Sequence, residues 1–222
     1  MTLKLYYHPL SSYSWKALIA LYENDTPFDG RIIDQDHPEH IEEWAALWPL
    51  LQFPVLRDEA RDVTVVETSV IIEYLGLHYP GAFVPVPSDA EAAIEVRTLD
   101  RIFDNYIMTS MQAFVNNKLR PEDDRDVMGE EKAGKLLATT YAMLEARLAG
   151  RTWAAGETFS LADCAAAPSL FYADKIVPFR ASHPVLARYL DRLEARPSFA
   201  RALADKEPYW PMFPFANGPA AG

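Results

Sequence analysis

Over roughly the first eighty positions, apolar and polar residues change rhythm every few residues, and beyond them they settle into long stripes. Leu3–Tyr7 is a short apolar run that reads as a strand, and Ala17, Leu18, Ile19, Leu21 and Tyr22 place a helix over Ser12–Glu23. Phe28–Ile33 predicts a second strand, and Pro38–Trp48, opening on a proline suited to a first turn, a second helix. Pro54–Arg57 and Val63–Val66 flank the turn Asp58–Asp62 as two brief strands, and Val70, Ile71, Tyr74 and Leu75 then recur at helical spacing. This βαβαββα order predicts a small α/β layer with mixed strand pairing. Pro80–Pro87, with three prolines and a glycine, cannot propagate a helix and reads as a linker. Ser88-Asp89-Ala90-Glu91 fits a capping box, and everything after it is helical in pattern. Leu99, Phe103, Ile107, Met111 and Val115 recur every four residues along one long helix, followed by the stripes Leu137–Leu148 and Leu186–Leu193. The expected organisation is an α/β domain over 1–80, a linker over 81–88 and an all-α domain over 89–222.

At 222 residues, half of them apolar, the chain buries one sizeable core or two modest ones. A formal charge of −11 argues against nucleic acid and anionic membrane surfaces as partners. No apolar run approaches the length of a membrane span, and the N-terminus leads straight into a strand pattern, so a soluble cytoplasmic protein is expected. The single cysteine, Cys164, excludes an internal disulfide framework and reads as a small core residue. His37 and His40 stand three apart among carboxylates, yet no second cluster completes a ligand set, so no metal is expected.

Chemistry concentrates in Tyr6-Tyr7-His8-Pro9-Leu10-Ser11-Ser12-Tyr13-Ser14-Trp15, where a strand enters a helix through hydroxyl residues. The first turn of a helix carries unpaired N–H donors and positive partial charge, so the segment suits an anion such as a thiolate. Glu67-Thr68 at the next helix start can meet an ammonium and a carboxylate, or be a plain cap with a solvated glutamate. Ser160-Leu161-Ala162-Asp163 is structural, a hydroxyl and a carboxylate closing a capping box.

These motifs together resemble the cytosolic glutathione transferases over essentially the whole chain. Ser11-Ser12-Tyr13-Ser14-Trp15 is similar to the S-S-C-S-W segment of the zeta class, with Tyr13 where that class has cysteine. Phe53-Pro54-Val55-Leu56 is similar to the family's V-P-x-L with its cis proline, Glu67-Thr68-Ser69-Val70-Ile71 to E-S-x-A-I, and Ser160–Asp163 to the S-x-A-D box. The resemblance implies a thioredoxin-like N-terminal domain followed by an all-helical C-terminal domain, a homodimer, and glutathione as co-substrate. It implies that Gln52, Phe53, Pro54, Glu67 and Thr68 hold glutathione. Ser11, supported by Ser12, would donate to the thiolate, with Tyr7 the rival from the alpha, mu and pi pattern and Tyr13 a further one. The electrophile would sit against the helical domain, where Phe103, Tyr106, Met108, Met111 and Phe114 are candidates. The aromatic tail around Trp210 either braces that domain or roofs the site. Three activities follow: conjugation of hydrophobic electrophiles, as in detoxification; zeta-like isomerisation of an unsaturated diacid such as maleylacetoacetate, with Lys16, Arg97 and Arg101 as candidate cations; or a non-catalytic binding module.

Overall fold

The computed structural model describes residues 2–218. Strand β1 (Leu3–Tyr7) lies centrally, parallel to β2 (Asp29–Ile32) and antiparallel to β3 (Val55–Asp58), which pairs with β4 (Val63–Val65). Leu5 stands opposite Gly30 on one side and Leu56 on the other. The order β2-β1-β3-β4 is a thioredoxin-like mixed sheet. Side chains alternate across it. Leu3, Leu5 and Leu56 join α1 (Ser12–Glu23) and α3 (Thr68–His78) in the main core, whereas Tyr6 and Val55 meet Trp44 of α2 (Pro38–Leu47). The β2 strand starts a residue later than its apolar pattern suggests, because Phe28 leaves the ladder to pack against Tyr22.

The rest is helical: α4 (Ala90–Ile102), a π-helical turn (Phe103–Met108), α5 (Thr109–Leu119), α6 (Val127–Arg147), α7 (Leu161–Ile176), α8 (Pro184–Glu194) and α9 (Pro197–Asp205). The cap of α4 is Asp89, which accepts from the Ala92 N–H, and not Ser88 as the Ser88–Glu91 box predicts, so the helix starts one residue later. The long apolar stripe is therefore not one regular helix. Residues four apart drift by about 40° per step on an α-helix, so a strict four-residue repeat would wind off the core. The wider π turn resets the phase. Leu99, Phe103, Ile107 and Met111 consequently stay buried together, and only Val115 drifts to a half-buried position.

Helix α7 is buried along most of its length and packs against α1, joining sheet and helices in one continuous core. Trp15 of α1 stacks on Tyr172 of α7, ring centres 4.8 Å apart. Ser160 and Asp163 form the capping box of α7, and Asp163 also accepts from the Ala154 N–H and the Tyr189 hydroxyl. Cys164 lies fully buried beside them, and burial pushes its thiol well above the ordinary range. Among the described residues no helix is long and apolar enough to cross a membrane.

Candidate functional site

Two cavities open on either side of the N-terminus of α1 and share Tyr13, Gln52 and Phe53 as a common wall. They differ in the charge of their walls. The first, about 460 Å³, is polar and bounded by Glu67, Thr68 and Ser69 at the start of α3, by Phe53-Pro54, and by Arg101, Asp104 and Asn105. The second, about 500 Å³, is bounded by Ser11, Ser12, Met111, Gln112, Val115, Asn116, Tyr172 and the tail residues Met212–Pro214. Both fall in the size range of small-molecule sites.

Ser11 is the N-cap of α1, and its Oγ accepts from the Ser14 N–H at 3.1 Å. The Ser11 hydroxyl proton stays free to donate elsewhere. The Trp15 N–H closes onto the Ser11 carbonyl, which leaves the Ser12 and Tyr13 N–H groups without intrahelical partners. A hydroxyl donor and two backbone donors thus meet at one positive helix end, an arrangement that favours the charged form of a bound acid. Ser12 is buried beside it.

At the start of α3 the residue in the cap position is Glu67, whose side chain makes no cap hydrogen bond and is exposed. Its backbone sits at φ 65°, a left-handed conformation that costs a non-glycine residue about 1–3 kcal/mol. The N–H groups of Thr68, Ser69 and Val70 lie in the first turn, and the Glu67 carboxylate has no ion-pair partner among the described residues. Donors and a free carboxylate side by side suit a zwitterion. The Phe53–Pro54 peptide bond is cis. Gln52 makes only weak contacts of 3.3 and 3.4 Å to the carbonyls of Leu50 and Leu51, so its amide can turn into either cavity.

Beneath the polar cavity lies a buried ionic cluster that sequence pattern did not reveal. Lys16 is fully buried, with Nζ 2.5 Å from Asp100 Oδ1 and 2.8 Å from Asp104 Oδ2. Its ammonium also donates to Ser69 Oγ at 2.8 Å, and Arg101 closes over both carboxylates from the solvent side. Burial raises the Asp104 carboxyl above the usual range, Lys16 and Arg101 pull it back, and Asp100 adds to the rise. Lys16 falls on a run of α1 that is buried on every side, and only the pairing of oppositely charged residues from α1 and α4 could have signalled it.

Other expected residues lie elsewhere. Tyr7 lines neither cavity. Its ring faces Gly30, and burial, with Asp205 and Tyr209 adding, pushes its hydroxyl up to about 12. Tyr13, at the junction of both cavities, is likewise pushed up to about 12 by burial, with Asp104 adding. Of the residues expected around the electrophile, Met111 lines the second cavity, whereas Phe103, Tyr106, Met108, Phe114 and Trp210 do not. Phe103 is fully buried in the core, because the π turn points it inward, and Tyr106, on the opposite side of that turn, is 46% exposed. Trp210 stacks on Tyr172 and lies under the Lys206 ammonium, so it braces the tail while its neighbours Met212–Pro214 do the roofing. Lys16, Arg97 and Arg101 are all committed to carboxylates, Arg97 to Glu73, and none borders the second cavity. His37 and His40 stack face to face and bond to Asp34 and the Ile32 carbonyl.

Residues 5–83 match the glutathione S-transferase N-terminal domain and residues 102–197 the C-terminal domain. The chain therefore belongs to the cytosolic glutathione S-transferase family. It is 23% identical to glutathione S-transferase GstB of Escherichia coli strain K12, over 85% of this chain and 91% of that one. It is 25% identical to the probable maleylacetoacetate isomerase 2 of Drosophila melanogaster, over 93% and 90% of the two chains. A glutathione S-transferase from Methylobacillus flagellatus, solved with glutathione bound, superposes with a TM-score of 0.81 at 27% identity, covering 90% of this chain and 98% of that one.

Proposed function

We propose that this protein is a glutathione transferase that binds glutathione in the polar cavity and presents its thiolate, stabilised by Ser11, to a hydrophobic electrophile in the adjoining one. The observation that carries the reading is the Ser11 hydroxyl, held by the Ser14 N–H with its own proton to spare, in the wall of the second cavity two residues from Tyr13, which both cavities share. The α3 N–H groups and Thr68 receive the γ-glutamyl carboxylate, Glu67 the ammonium, and the Phe53 backbone beside Pro54 and the Gln52 amide the cysteinyl part. A free thiol with a pKa near 8.5 is mostly protonated at neutral pH. Lowering it by two units takes about 2.7 kcal/mol, within reach of one charge-assisted hydrogen bond and a helix terminus. The thiolate sulfur then attacks an electrophile already held beside it, and positioning supplies the rest of the rate gain.

A zeta-like isomerisation is the second reading, favoured by the Ser11–Trp15 segment and the likeness to the Drosophila protein. It ranks lower because no cation among the described residues lines the second cavity to receive a diacid. We further infer a cytoplasmic homodimer whose chains divide at 81–88 into a 1–80 and an 89–222 domain. The exposed Val70 and Leu77 of α3 and Ile94 of α4 are the apolar surface a second copy would cover. Titrating glutathione while following thiolate absorbance across pH, beside Ser11→Ala and Tyr7→Phe, tests the mechanism. The proposal requires a thiolate well below the free thiol's pKa that is lost in Ser11→Ala and kept in Tyr7→Phe. Glutathione bound with an unshifted thiol would defeat it.

A further inference from the structure

The wall of the second cavity carries two carboxamides one helical turn apart, and nothing in the proposed conjugation has used them. Gln112 and Asn116 project from the same face of α5, and Gln112 Nε2 donates to Asn116 Oδ1 at 2.9 Å. That bond ties the two side chains together and leaves one Gln112 N–H and both Asn116 N–H groups free to donate. Around them stand Met111, Val115, Tyr172, Phe213 and the shared Tyr13 and Phe53, and among the described residues no lysine, arginine, histidine or carboxylate borders this cavity. The polar cavity next door, by contrast, is bordered by Glu67, Arg101 and Asp104. The positive start of α1 also borders this cavity, but in the proposed reaction it holds the thiolate, so an anionic substrate entering beside it gives up water with no cation to receive it.

We propose that the Gln112–Asn116 pair determines which electrophile reacts, selecting an uncharged aromatic molecule whose reactive carbon is conjugated to a carbonyl oxygen. This rests on the glutathione transferase reading. As the thiolate sulfur bonds to the β-carbon of an enone, the C=C π pair shifts toward the carbonyl and the oxygen takes on enolate charge. The free amide N–H groups donate to that oxygen as its charge develops. Solvent then delivers a proton to the α-carbon, replacing the one the thiol released on binding, so that glutathione and the enone are consumed one for one. An electrophile without an acceptor oxygen gains nothing from the pair.

Two measurements on the full chain test this. In the first, the unreactive ketone benzylacetone and the acid phenylbutyrate are titrated in the presence of glutathione. The ketone is expected to bind about tenfold or more tightly than the acid, since a carboxylate finds only neutral donors there. In the second, kcat/KM is measured for benzylideneacetone and for benzyl chloride in wild type, in Asn116→Asp and in the double variant Gln112→Leu with Asn116→Leu. Both variants are expected to lose about tenfold or more on the enone while benzyl chloride changes less than about twofold. Equal binding of ketone and acid, or equal losses on both electrophiles, overturns the proposal. The ketone–acid comparison in wild type needs no variant to fold. If the ketone is preferred but glutathione never forms a thiolate, the transferase reading falls and the selectivity of the cavity stands. If the thiolate forms and the acid binds as well as the ketone, only the present inference falls.

Discussion

Replacing Lys16 with methionine keeps most of the side-chain volume and removes one charge from a place water cannot reach. The Lys16 side chain is 0% exposed, and its partners Asp100 and Asp104 are 2% and 6% exposed. Arg101 still touches both carboxylates, but it is 49% exposed and one cation cannot neutralise two anions. Breaking a buried pair by deleting one partner costs about 3–5 kcal/mol, because the remaining charge keeps its desolvation penalty and loses its compensation. Against a total stability of roughly 5–15 kcal/mol this is a large fraction. At about 2–4 °C per kcal/mol for a chain of this size, the melting temperature should fall by roughly 6–20 °C. Urea unfolding at neutral pH measures the loss directly. The pH dependence carries the mechanism. With Lys16 gone, burial and mutual repulsion raise a carboxyl further in the folded state, so the folded protein takes up a proton more readily than the unfolded chain. Stability then recovers as pH falls toward 5, and the double variant with Asp104→Asn should regain most of the deficit at neutral pH. A loss below about 1 kcal/mol, or a deficit that ignores pH and the second substitution, would refute the argument that an uncompensated buried charge is what the variant creates.

Three further outcomes follow from the geometry. Ser11→Gly should retain most of the helix cap, losing a few tenths of a kcal/mol against about 1 kcal/mol for Ser11→Ala, while both lose the shifted thiolate in glutathione titrations; chemical unfolding and ultraviolet absorbance separate the two effects. Glu67→Gly should relieve the left-handed backbone and gain about 1 kcal/mol after the extra chain entropy of glycine, yet weaken glutathione binding in calorimetry through loss of the carboxylate. Burial pushes the Asp58 carboxyl up, but the Tyr79 and Tyr74 hydroxyls, at 2.6 and 2.8 Å, and the Arg61 and Ala60 N–H groups outweigh it and hold it below the usual range. Its stabilisation is therefore full above the unfolded carboxyl range and lost as pH falls through the lowered value, so Tyr74→Phe with Tyr79→Phe should move the acid-unfolding midpoint to higher pH, read by circular dichroism.

How much of this was legible depended on whether a feature is local. The βαβαββα order and the capping box of α7 are readable because period, cap and turn chemistry act over a few residues, while the start of α4 is read one residue early, at Ser88 where Asp89 is the cap. Helix α2 shows the limit even here: His37 occupies the cap position without a side-chain cap bond, and Asp34 instead accepts from His37 and the Asp36 N–H. The π turn was visible only as an over-regular four-residue spacing that an α-helix cannot sustain. The lining of the second cavity was legible least: of Phe103, Tyr106, Met108, Met111, Phe114 and Trp210, only Met111 borders it. Which aromatic faces a cavity is decided by helix phase and by the path of the tail, and neither is written in residue type. The polar members Gln112 and Asn116 gave no signal beyond being amides on a helix.

The rod formed by α4, the π turn and α5 ties these observations together, because it walls both cavities. Arg101, Asp104 and Asn105 border the polar one, and Met111, Gln112, Val115 and Asn116 the other. A regular helix obeying the same four-residue apolar spacing would rotate off its core face before reaching the second group. The π turn lets one rod keep Leu99, Phe103, Ile107 and Met111 buried while presenting charged groups at one end and carboxamides about 12–22 Å further along. Charge is thereby confined to the end that meets the start of α3, where a zwitterion is to be gripped. The reacting end stays neutral, and there a thiolate gains most from a hydroxyl, a helix terminus and the absence of a competing carboxylate. The buried Lys16 cluster locks the charged end of the rod to α1, so the helix carrying Ser11 and the rod carrying both walls hold one register. Loosening that lock should therefore disturb glutathione affinity as well as stability. In Lys16→Met, calorimetry should find weaker binding of glutathione at a temperature where the variant is still fully folded. Unchanged affinity there would mean that the cluster only stabilises the fold and leaves the geometry of the site to other contacts.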